Sequence, residues 1–79
     1  MSKEQKELLL KIAELIVKDF NLEMKDHWSS DDYSQSREYS MKKDELEKEY
    51  EKKYGELKQW NGIDDVYDTV KQLRKELQE

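Results

Sequence analysis

The chain has no cysteine, no proline, one histidine and two glycines. Without cysteine it can form no disulfide framework, no thiolate zinc site and no thiol nucleophile. Long apolar runs are also missing. The longest, Leu8–Leu10 and Leu15–Val17, have three residues each, far short of the roughly 20 residues of a membrane-spanning helix or the apolar core of a secretory signal. These absences fit a cytoplasmic protein.

What is abundant is charge. Of 79 residues, 20 are Asp or Glu and 15 are Lys or Arg, giving a net charge of −5, while hydrophobic residues make up 34%. That length sets one small domain as the ceiling. A chain of this size buries only roughly 60–65% of the surface it exposes when unfolded. Nearly every aliphatic residue must therefore contribute to the core. High charge often marks disorder, but here the two signs interleave and the apolar residues fall at helical spacing. A folded chain is expected.

The first helix is the clearest, expected over residues 3–21. Ser2 is placed to cap it, with Gln5 completing a capping box. Glu7, Lys11, Glu14 and Lys18 fall on one narrow polar strip as favourable i,i+4 pairs. Leu8, Leu9, Leu10, Ile12, Ala13, Leu15, Ile16, Val17 and Phe20 cover the rest. An apolar arc that wide exceeds what one partner helix covers, so this helix should be central. Asn21 is placed as its left-handed terminator.

Residues 23–41 change character. Five acids stand against Lys25 and Arg37, with serines and aromatics between them. Ser and Asp favour caps and turns. Ser29 or Ser30 can start the second helix with Asp31 and Asp32 in its first turn, or Ser40 can cap a later start. The sequence leaves both starts open, and hence whether residues 28–40 are helix or loop.

From 41 to 60 Leu46, Tyr50, Tyr54, Leu57 and Trp60 form one narrow apolar seam. The spacing predicts a helix through Trp60, with Gly55 tolerated on an exposed face and Asn61-Gly62 as the stop. The last helix is expected over 64–78, with Asp64, Asp65 and Asp68 near its positive end and Val66, Val70, Leu73 and Leu77 as its stripe. The fold expected is all-α: one domain over 1–79, a small three-helix bundle with a long middle helix. Its coiled-coil-like seams leave homodimerisation open.

Catalysis has little to work with. His27 is the sole histidine, and no Gly-rich elbow accompanies the serines. The acids sit in charged faces or first turns, where solvation is the ordinary role. Asp26, His27, Asp31 and Asp32 hold one imidazole among carboxylates, which is weak metal-ligand spacing. No enzyme activity, metal or cofactor is expected. The Lys42-Lys43 and Lys52-Lys53 doublets are each flanked by acids, so no basic stripe exists for direct nucleic-acid binding. The evenly charged strip of the first helix does not suit a membrane surface.

Protein recognition remains. Residues 26–41 combine Trp28, Tyr33, Tyr39 and Met41 with Asp31, Asp32, Arg37 and Glu38. Aromatics, Met and Arg are enriched at interface cores, and acids steer a basic partner. These eight residues are the candidate partner-binding set of an adaptor or inhibitor that covers another protein's surface. An alternative is an acidic nucleic-acid mimic of the anti-restriction or anti-CRISPR type that phages make. A second alternative is a self-assembling structural protein. The acid surplus itself is local: residues 1–22 and 42–60 are each neutral, while 23–41 carry −3 and 61–79 carry −2.

Overall fold

The structure is a computed structural model that describes residues 1–78. It contains three helices, α1 (Lys3–Glu23), α2 (Ser30–Tyr54) and α3 (Ile63–Gln78), and no strand among the described residues. The fold is a small all-α three-helix bundle with a long middle helix, about 40 × 24 × 23 Å.

α1 begins where Ser2 in extended conformation accepts a hydrogen bond from the Gln5 amide at 3.1 Å. The expected capping box is only half made. The Gln5 side chain turns away and donates to the Tyr50 hydroxyl at 3.0 Å, joining α1 to α2. Asn21 does not terminate the helix. No non-glycine residue has a positive φ among the described residues, and α1 continues to Glu23, closed by Met24 in right-handed conformation. A left-handed turn serves to satisfy orphan carbonyls. Here the Leu22 carbonyl already accepts from the Lys25 amide and the Trp28 indole.

α2 takes the earlier of its two starts. Ser29 and Asp32 form a complete capping box, each side chain accepting from the other's backbone amide. At its other end the helix stops at Tyr54, not at Trp60. Gly55 has φ 90° and ψ −147°, a region essentially reserved for glycine. It is the break that the spacing did not reveal. Leu57 is buried and Trp60 half-buried all the same, from an irregular strap over residues 55–62.

α1 lies between the other two helices and packs against both, while α2 and α3 do not meet. Its buried stripe supplies the largest fully buried side chains, Leu9 and Ile12, at 1% and 0% exposure. Links from Gln5 to Tyr50 and from Leu22 to Trp28 show α1 and α2 antiparallel. Lys6–Glu76, Glu14–Arg74 and Asn21–Tyr67 show the same for α1 and α3. α2 and α3 are therefore parallel, which requires a return connection. The strap is that return. Leu57 packs with Leu9, Ile12, Tyr50 and Leu73, and Ile63 packs with the cluster of Ala13, Val66 and Val70 farther along α1. Trp60 bridges both clusters. Its indole N–H donates to Thr69 Oγ1 at 2.9 Å, and that hydroxyl donates to the Asp65 carbonyl at 2.9 Å.

None of the helices is long and apolar enough to cross a membrane.

Candidate functional site

The turn between α1 and α2 fixes the eight candidate residues. Its anchor is Trp28, half-buried, with the indole N–H on the Leu22 carbonyl at 2.9 Å. Asp32 stands one turn into α2 and is only 7% exposed. One carboxylate oxygen accepts from the Ser29 amide at 2.9 Å, and both accept from the Lys25 ammonium at 3.0 and 3.1 Å. The Ser29 amide, followed by Lys25, holds the Asp32 carboxyl below its ordinary range. A carboxylate engaged on all sides holds the turn and has little left for a partner.

The remaining residues divide by face. Asp32, Ser36, Tyr39, Lys43, Leu46, Tyr50 and Tyr54 make a half-buried to buried stripe along α2, spaced as one side of a helix. Tyr39 thus lies on the inner side. Tyr33, Arg37 and Met41 recur every four residues on a different side, within an arc of about 80° at 100° per residue. All three are exposed, Tyr33 at 64% and Met41 at 59%. Asp31 and Glu38, a heptad apart and exposed, lie about 60–80° beyond Met41, on the flank away from Tyr33. Trp28 meets Tyr33 edge to face, ring centroids 5.0 Å apart at 72°. This contact orients the Tyr33 ring without covering it.

The structure therefore brings Tyr33, Arg37 and Met41 to one open strip, with Trp28 as its support and Asp31 and Glu38 on the neighbouring flank. Asp32 and Tyr39 point elsewhere. Met24, 68% exposed, adds apolar surface at the same end of the bundle. Its signal in the sequence was a large apolar residue just past the last turn of α1, with acids and lysine around it. Asp26 and His27 are exposed, and no group of three or more His, Cys, Asp or Glu gathers to hold a metal among the described residues.

Comparison with known proteins finds no matching family model, no matching curated protein and no matching solved structure.

Proposed function

We propose that the protein is a cytoplasmic, non-enzymatic interaction module, an adaptor or inhibitor that covers part of a partner protein through the outer face of the first half of α2. The single observation that carries this reading is the exposed strip of Tyr33, Arg37 and Met41 on a helix start fixed from beneath. Tyr and Arg dominate interface hot spots, and Met adapts to irregular surfaces. A strip already ordered by Trp28 and the Ser29–Asp32 box loses little conformational freedom on binding. Asp31 and Glu38 beside it favour a partner with a basic surface.

A photo-crosslinking residue at Ser34, inside the strip, tests this against one at Glu7 on the polar side of α1. The reading expects a discrete adduct from Ser34 only. An adduct of twice the chain mass identifies a second copy of this protein as the occupant. Equal labelling from both positions contradicts the assignment.

A further inference from the structure

A second surface lies away from the strip, where the return connection leaves α1 incompletely covered. Because α2 and α3 do not meet, a channel runs between them over α1. The strap crosses it, with Leu57 in the cluster of Leu9 and Ile12 and Trp60 reaching the cluster of Ala13. Beside the second half of α1 there is an open cleft of about 640 Å³, within the size range of ligand sites. Ile16 and Phe20 from α1 and Trp60 and Ile63 from the strap and α3 line it, all half-buried.

The cleft's charges are not balanced. Its two lysines are occupied within the molecule: Lys43 pairs with Glu47 at 3.9 Å and Lys58 with Asp65 at 3.8 Å. Asp19, Glu23 and Glu51 also line the cleft and have no ion pair among the described residues. Asp19 is half-buried, and its inner oxygen Oδ1 has no hydrogen-bond partner among the described residues. Carboxylates without an ion pair beside apolar walls, where water is partly excluded, attract a cationic side chain. Apolar walls with uncompensated acids at the edge are complementary to one kind of peptide.

We propose that this cleft docks a basic amphipathic segment of a partner protein, with apolar side chains against Phe20 and Trp60 and a lysine or arginine on Asp19 and Glu23. It is separate from the α2 strip, so the two surfaces let one small chain hold two segments at once.

The test uses the full chain labelled for amide NMR and a short helical peptide of leucine and lysine with its leucines on one face. Saturable shifts are expected at Ile16–Glu23, Leu57–Ile63 and Val66. The Asp19→Asn, Glu23→Gln double variant should weaken binding about tenfold, as loss of a charge-assisted hydrogen bond does. Tyr33→Ser with Met41→Ser should leave it unchanged. The same peptide with glutamate for lysine should produce no shifts on the wild-type chain, which keeps the test decisive if the double variant fails to fold. Shifts centred on Tyr33–Met41, no saturation, equal affinity for the double variant, or cleft shifts that follow protein concentration without peptide would each overturn the proposal.

Discussion

The indole N–H of Trp28 donates to the carbonyl oxygen of Leu22 at 2.9 Å, so the residue just before the Ser29 cap of α2 closes the last turn of α1. Carbonyls in the last turn of a helix have no partner within it, and this one is served by a side chain six positions on. The same ring meets Tyr33 on its outer side. Trp28→Phe keeps the aromatic contact and loses the donor. It should cost about 1 kcal/mol, read as a lower urea midpoint, and the amides of residues 29–33 should lose hydrogen-exchange protection. Unchanged protection there would mean that the bond does not hold the turn.

Asp32 makes the same turn sensitive to acid. Its carboxyl is held below the ordinary value of 3.8 by the Ser29 amide and then by Lys25. The folded state thus binds this proton more weakly than the unfolded one. Its contribution is fully present above the ordinary value and is lost as pH falls through the depressed one. Protection at the start of α2 should fall over that acidic window in the wild type. In Asp32→Asn it should be lower at neutral pH and lack that component. A parallel pH response in both proteins would place the titration elsewhere.

Gly55 gives a prediction of sign. Inside an exposed helix, Gly→Ala stabilises by about 1 kcal/mol. At φ 90°, with nothing within 4 Å of an added Cβ, the methyl group meets no neighbour and only the backbone objects. Gly55→Ala should then destabilise by about 1–3 kcal/mol. Thermal or urea unfolding decides between the two signs.

Thr69 is the anchor of the strap. Its hydroxyl accepts from the Trp60 indole at 2.9 Å and from Lys58 at 3.3 Å while donating to the Asp65 carbonyl. Thr69→Val leaves the indole N–H without this acceptor and should cost about 1–3 kcal/mol. Adding Trp60→Phe should recover part of that loss, a coupling that a double-mutant cycle measures directly.

These positions also show what was legible in the sequence. The central role of α1 was, because an apolar arc that wide can be buried only between two partners. Ser29 with Asp32 was legible as one of two helix starts, and tertiary ties from Trp28 and Lys25 select it. The end of α2 was not. Leu57 and Trp60 continue the spacing of Leu46, Tyr50 and Tyr54, and a strap crossing the same core needs buried residues at similar intervals. Periodicity reports burial, and both conformations bury these side chains. The eight-residue candidate set was legible as a segment but not as a face. Nothing in its composition says that Asp32 turns toward Lys25 or that Tyr39 joins the inner stripe. The cleft beside Asp19 depends on the parallel order of α2 and α3, which no local pattern encodes.

Arg37→Glu and Met41→Ser should scarcely affect folding, within about 0.5 kcal/mol. Tyr33→Ser also removes the ring contact with Trp28 and should cost about 1 kcal/mol, so folding is checked before binding is compared. The most direct measurement is quantitative capture from extracts of the native host. It uses the wild type, a Tyr33→Ser, Arg37→Glu, Met41→Ser variant, and a Lys52→Ser, Lys53→Ser control near the other end of α2, all checked for equal helicity. The account predicts a protein held by the wild type and the control and depleted at least tenfold with the strip variant. Equal recovery with all three would contradict it.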